Sequence, residues 1–510
     1  MNEKPSINLT LLLLIFFNIH IIIHAQNRVQ VFPRLEPDPK ALEFYEIFRQ
    51  KNGYSWEELA EISLWASGDI SASNLGRIRA AVESLNNSPE LPASGRERAE
   101  FILNFMHKNI LRSYSLYQTR IDTIFANGRY NCVSSAVLYM ILCKSAGIQI
   151  SGVVTKEHAF ATVHSGDSDF DVETTNIYGF DPGNRKEFFD SVGNITGFSY
   201  VPAQNYRNRQ TISQIELISV ILNNRIADHE RQNRFGDAVP IAVDRTALLT
   251  GNTLDVNENA RYGPLFEDPV SNMMDRIFNY GEMLLRAGRE EECLRWAAAA
   301  SPLYPDTARW QEFTLAAVNN NVNKLIRANR LTEARNFLDN NKMFLTDAGY
   351  AQLDTMLIGN ELLNSANRIR TAEDGNAVIN AAEQALQSGR IEQKRASELI
   401  IFSVQKTAAA LSASPARDLR AAAVYIEAAV SRFSANSGLL VNELIANELK
   451  QTLQTYQSNI VTGYHNRFAA AWNRKNYEEA ERILNEGLAE FPNNRQLLSD
   501  METIRQQRAR

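Results

Sequence analysis

Two side chains in this sequence could do covalent chemistry together. Cys132 stands in the run Tyr130-Asn131-Cys132-Val133-Ser134-Ser135-Ala136, where an apolar helical pattern begins. A helix N-terminus offers unbonded N–H groups and positive potential, which lower a thiol pKa and favour the nucleophilic thiolate. The same N–H groups can hold an oxyanion. A thiolate in that place suits attack on a carbonyl carbon. It needs a base, and His158 follows 26 residues later in Glu157-His158-Ala159-Phe160. An imidazole used this way needs a carboxylate or amide to orient it. Asp171 is the favoured candidate, 13 residues further on in Phe170-Asp171-Val172-Glu173-Thr174-Thr175. Glu173 shares its strand face and is the second choice. Gln118 is the one upstream side chain considered as an oxyanion partner.

Other titratable groups suggest less. Asp167, Asp169 and Asp171 alternate, but no Glu occupies the twelfth position of a calcium loop. No Cys/His spacing suits zinc, and no Gly-rich phosphate loop is present, so neither metal nor cofactor is expected. Cys143 falls on an apolar helix face and reads as core; His164 falls near a hairpin tip and reads as solvated. Cys132 and Cys143 lie about 16 Å apart along one helix, too far to bond. With Cys293 they make three cysteines, which is no disulfide framework.

The elements that must position these groups can be read from the pattern. Four helical segments span residues 37–108, with Ser55 a plausible N-cap for the second and Ser88-Pro89-Glu90-Leu91-Pro92 a break before the fourth. Asn127-Gly128 is a turn, and residues 133–146 form a helix closed by Gly147. Period two then takes over. Strands are expected at 148–154, 158–163 and 170–174, the last two joined at Ser165-Gly166-Asp167. A Cys at a helix start, followed by His and Asp on paired strands, carries more weight than any of the three alone.

These pieces resemble the transglutaminase-like superfamily, which includes cysteine-protease-like members. The likeness covers residues 96–176. It rests on Gly128-Arg129-Tyr130-Asn131-Cys132, Ala146-Gly147-Ile148, His158-Ala159-Phe160 and Asp171-Val172-Glu173-Thr174-Thr175. It implies an α+β papain-like core in which the cysteine helix packs on an antiparallel sheet. It also implies Cys132 as nucleophile, His158 as base and Asp171 as orienting acid. Phe160 stands where the family often has Trp, and the His–Asp gap is short.

From Ser213 onward the pattern is helix after helix. Polar turns leading into helices recur at Phe235, Gly288, Asn329, Asp418 and Asn476. Each is followed by a small residue (Ala238, Cys293, Ala334, Ala422, Ala480). Eleven residues later comes an apolar or aromatic one (Leu249, Tyr304, Leu345, Phe433, Phe491). This resembles the second helix of a tetratricopeptide repeat, in an array of irregular spacing. Each hairpin would bury its apolar face only by stacking on its neighbours in a solenoid. A bacterial subgroup joins a transglutaminase-like module to such helices. Residues 215–252, with Asn223-Asn224, Ala238 and Arg245, are similar to that junction. The expected layout is a transglutaminase-like domain at 36–200 and a repeat region at 213–510.

Composition agrees with a globular protein: 44% hydrophobic, 22% charged, net charge −6. No basic run points to nucleic acid. Lys4, the apolar run over residues 9–23 and Ala25 describe a signal peptide at 1–25. The run is shorter than the roughly 20 residues of a membrane span. An uncleaved anchor is the alternative. The expected protein is periplasmic or secreted. It acts on peptide or protein amide bonds, by hydrolysis rather than cross-linking, and binds a substrate or protein partner through its helices. The alternative is an interaction protein whose first module is catalytically inactive.

Overall fold

The computed structural model describes residues 32–51, 53–93, 95–183, 208–254, 262–304, 306–413, 418–435 and 440–508. The expected signal peptide, 1–25, lies outside them. The chain falls into two compact units divided between Asp306 and Thr307.

The first unit opens with α1 (Pro39–Lys51), α2 (Trp56–Ser67), α3 (Ala72–Asn86) and α4 (Gly95–Asn109). Ser55 caps α2 through a reciprocal capping box with Glu58. Next come β1 (Ser113–Tyr114), α5 (Ile121–Asn127) and β2 (Arg129–Tyr130), the two short strands pairing in parallel. The cysteine helix α6 (Cys132–Ser145) follows, then β3 (Gln149–Val154), β4 (Ala159–Ser165) and β5 (Ser168–Val172). A further strand, β6 (Gln210–Ile212), completes an antiparallel sheet of order β5-β4-β3-β6. β1, β2 and β6 were not expected; at two or three residues each they are too short to show alternation. Helix α6 is buried all round from Cys132 to Cys143, packed between the sheet and helices α2 and α4. A helix apolar on every face belongs in a core, and this one is the centre of the unit.

The unit does not end where strands give way to helices. α7 (Gln214–Arg231), α8 (Phe235–Thr250), α9 (Pro269–Arg286) and α10 (Glu290–Ala300) belong to it. α7 packs on α6, α2 and β3, and α8 packs on α1. The change of pattern near 200–213 is therefore a change of element type. The compact body runs about a hundred residues further, to Asp306.

The second unit is helical: α11 (Thr307–Arg327), α12 (Leu331–Asn340), a 3₁₀ turn (Lys342–Phe344), α13 (Asp347–Asn367), α14 (Ala372–Gln387), α15 (Gln393–Ala413), α16 (Leu419–Ala435), α17 (Leu440–Asn473), α18 (Tyr477–Glu490) and α19 (Arg495–Arg508). Successive helices pack on one another. One core joins Ile379, Leu399, Val404, Ile426, Phe433 and Leu449; a second joins Phe468, Ile483, Leu484 and Leu497.

The five small residues read from the sequence as helix contact points are all buried: Ala238, Cys293, Ala334, Ala422 and Ala480. Four of the hairpin turns share one geometry. Asn233, Gly288, Asn329 and Lys475 adopt positive φ. The next residue's N–H closes a bond to a carbonyl five positions back: Arg234 to His229, Arg289 to Leu284, Arg330 to Leu325 and Asn476 to Ala471. This is a Schellman ending. The following helix then places Asp237, Glu292, Glu333 or Glu479 at its third position, next to the turn's own Arg or Asn. A carboxylate there complements the helix dipole. Among the described residues no helix is long and apolar enough to cross a membrane.

Candidate functional site

Asn131 fixes where α6 starts. Its Oδ1 accepts from the Ser134 N–H at 3.0 Å, while its own N–H donates to Ser134 Oγ at 2.9 Å. Asn131 Nδ2 and Ser134 Oγ donate in turn to the carbonyls of Leu116 and Gln118, tying the helix start to the loop before it. Cys132 is the first helical residue. Its N–H and that of Val133 precede the intrahelical ladder.

His158 lies immediately before β4, beside Ala159, whose backbone N–H bonds the Cys132 sulfur. The imidazole bonds the thiol, and its Nε2 meets Glu173 Oε2 at 2.5 Å. With Nε2 on the carboxylate, Nδ1 is the nitrogen left for the sulfur. Glu173 is 2% exposed. Its other oxygen accepts from the Thr175 N–H at 3.2 Å and the Thr175 hydroxyl at 2.7 Å.

The carboxylate that the structure brings to His158 is Glu173, not the Asp171 favoured from the sequence. The reason is register. Thr162 pairs with Asp171 and Ala161 with Val172, so His158 falls diagonally from Glu173 and two residue pairs beyond it from Asp171. Asp171 sits beside Thr162, whose hydroxyl donates to it at 2.9 Å, and its carboxylate is paired with Arg209. Gln118 is not aimed at the thiol either; its amide donates to the Arg120 carbonyl at 3.4 Å. The Tyr114 hydroxyl also reaches the sulfur. Nothing in the sequence marks Tyr114, because β1 is two residues long.

Burial opposes ionisation of Cys132. The neighbouring His158 charge outweighs it, helped by the hydrogen bonds from His158 and the Ala159 N–H, and the thiol pKa lies below its ordinary value. For His158 burial again works against charge, but Glu173 and the thiolate prevail and hold the imidazole well above its ordinary range. Glu173, despite burial, is kept below the usual carboxylate value by His158 and by the Thr175 bonds. The arrangement favours a thiolate–imidazolium pair. Burial pushes the other two thiols the opposite way: Cys143 well above its ordinary value, and Cys293 up to about 12.

A tight loop sets the carboxylate. The Glu173 N–H donates to Gly179 O at 2.8 Å, and the Gly179 N–H donates to Asn176 O at 3.0 Å. A Cβ on Gly179 would lie 2.0 Å from the Glu173 carbonyl oxygen and 2.9 Å from that of Asn176, so only glycine fits. Gly179→Ala is expected to cost about 2–3 kcal/mol of stability, as overpacking against backbone does. It should also weaken the His158–Glu173 contact. Chemical denaturation and the NMR titration of His158 would check both.

The thiol opens on a cleft of about 500 Å³. Cys132, His158 and the 154–159 loop form one side; Asn223 and Asn224 of α7, Arg245 of α8 and Phe266 complete it. This volume is typical of small-molecule or peptide sites. Among the described residues no cluster of His, Cys, Asp and Glu could hold a metal. Compared with known proteins, the chain matches no family model and no curated sequence.

Proposed function

We propose that this protein is an exported thiol enzyme with a transglutaminase-like, papain-like core that hydrolyses amide bonds in peptides or proteins. The observation that carries this reading is the line Glu173–His158–Cys132 at a helix start, with the thiol pKa lowered and the imidazole pKa raised. The Cys132 thiolate attacks the amide carbonyl carbon; the S–C bond forms and the π pair moves to oxygen. The N–H groups at the start of α6 stabilise that oxyanion. The His158 imidazolium gives its proton to the leaving nitrogen, and the C–N bond breaks to leave a thioester. Water then attacks as His158 takes its proton. The S–C bond breaks, releasing the acid and restoring the thiolate. An amine in place of water would give transfer. The successive helical hairpins support a role in holding a substrate or protein partner.

The test is thiol labelling of the full-length protein by iodoacetamide, residue by residue. Cys132 should react at neutral pH at least about a hundredfold faster than Cys143 or Cys293, since only the thiolate is nucleophilic. Its rate should stay high well below the ordinary thiol pKa of 9.0. Peptide-library cleavage by the same protein should vanish in Cys132→Ser. Equal, slow labelling of all three cysteines would sink the reading in favour of an inactive interaction protein.

A further inference from the structure

The cleft contains a charge that the catalytic groups do not use. Arg245 lines it and is 1% exposed. Its Nη2 donates to the Glu267 carbonyl at 2.9 Å, and its guanidinium lies 5.1 Å from the Phe266 ring centre. Its Nε and Nη1 are buried and have no hydrogen-bond partner among the described residues. The two carboxylates whose charge acts on Arg245 are bonded elsewhere: Glu267 pairs with Arg276 at 3.4 Å, and Asp268 accepts from the Val270 and Ser271 N–H groups at 2.8 and 3.3 Å. Burial depresses the Arg245 pKa to about 10, which leaves it charged at neutral pH.

A buried cation with two unmet donors is costly, and a Met or Leu of similar size would fill the space without that cost. Such exceptions concentrate at functional sites. Nε–H and the Nη1 N–H lie on opposite sides of the guanidinium, so a carboxylate oxygen can take either one as a single charge-assisted hydrogen bond. We propose that Arg245 anchors a carboxylate of the peptide substrate in the cleft that contains Cys132. This rests on the thiol-enzyme reading and gives it a substrate class: peptides that are acidic or end near the bond to be cut. The carboxylate is either the peptide's C-terminus or an Asp or Glu side chain.

Alkylation of Cys132 by iodoacetate and by iodoacetamide is one test. In both reactions the S–C bond forms and iodide leaves with the C–I pair, so the rate ratio reports the added charge. The ratio should fall about tenfold in Arg245→Gln, the scale of one charge-assisted hydrogen bond, and be largely kept in Arg245→Lys. Equal ratios in the wild type and in a folded Arg245→Gln overturn the proposal.

The second test needs neither that variant nor a reactive thiol. Three dye-labelled random tetrapeptide pools are titrated into Cys132→Ser protein. One ends in a free carboxylate. One ends in a carboxamide with an internal Glu. The third ends in a carboxamide with Gln in that position. One acidic pool should bind about tenfold tighter than the neutral pool, and which one does identifies the source of the carboxylate. Equal binding of all three overturns the anchor. Discrimination between pools together with an unreactive Cys132 overturns the enzyme reading and upholds the anchor.

Discussion

Glu173→Gln should reduce amide hydrolysis about a thousandfold to ten-thousandfold, the scale set when an orienting carboxylate is replaced by its amide. Asp171→Asn, which removes a partly exposed ion pair with Arg209, should change it about twofold or less. The contrast follows from geometry. Glu173 bonds His158 Nε2, whereas Asp171 bonds Thr162 and Arg209. The amide can still hydrogen-bond the ring, but it carries no charge to hold the imidazolium. The His158 pKa should therefore fall, and the Cys132 thiolate should lose its counter-charge. An NMR titration of His158 would read that fall directly. Stability should respond with a definite sign. A lowered carboxylate pKa stabilises above the unfolded value, here 4.5, and the gain is lost as pH falls through the folded one. A raised imidazole pKa stabilises below its unfolded value of 6.5 and is lost as pH rises through the folded one. The wild type should exceed Glu173→Gln most between those two values. Denaturant titrations at pH 5.5 and pH 9 would show it; an advantage that grows toward pH 9 would contradict the pairing.

Trp296→Ala should destabilise the first unit by about 3–5 kcal/mol, the cost of deleting a large buried aromatic. Trp296 is fully buried on α10, and its indole N–H donates to the Ile277 carbonyl of α9 at 3.0 Å. Its ring meets Tyr280 at 4.9 Å and Phe32 at 5.7 Å between centres. Alanine would leave a cavity and remove a second hydrogen bond from a carbonyl that the α9 ladder already engages. Hydrogen exchange over residues 269–300 and a urea midpoint would measure the loss. Trp296→Phe should recover most of the packing but not the indole hydrogen bond, so it should fall between the two.

Much of the site was legible before any coordinates. The cysteine helix, the histidine at the head of a strand and the hairpin beyond it all show in residue type and period. The carboxylate on His158 is Glu173 and not the Asp171 that residue type favours, although its position can be counted. Gly166 and Asp167 form a two-residue loop, so Ser165 pairs with Ser168. Each step down the ladder then adds one residue on one strand and removes one on the other. Four steps below Thr162–Asp171 the count brings His158 to the level of Thr175, with Glu173 as the near diagonal neighbour. Periodicity reveals faces, and Asp171 and Glu173 share one; only register separates them.

Tyr114 and the burial of Arg245 are hidden for different reasons. Tyr114 sits on a strand too short to have a pattern. Arg245 follows Asp244 in α8, and the Asp-Arg pair does not reveal that the arginine is buried while Asp244 pairs with Arg34. The hairpin turns were seen as polar breaks, but their common left-handed residue was not, since it is Gly once, Asn twice and Lys once.

The position of Arg245 bears on how the protein can be taken apart. The change from strands to helices near residue 200 invites a cut between a catalytic piece and a binding piece. Such a cut would keep Cys132, His158 and Glu173 and discard α7 and α8, which complete the cleft. It would also strip cover from α1, α2, α6 and β3. The smallest fragment that could carry the whole cleft therefore runs to Asp306. Its first helical hairpin, α7 and α8, is a wall of that cleft.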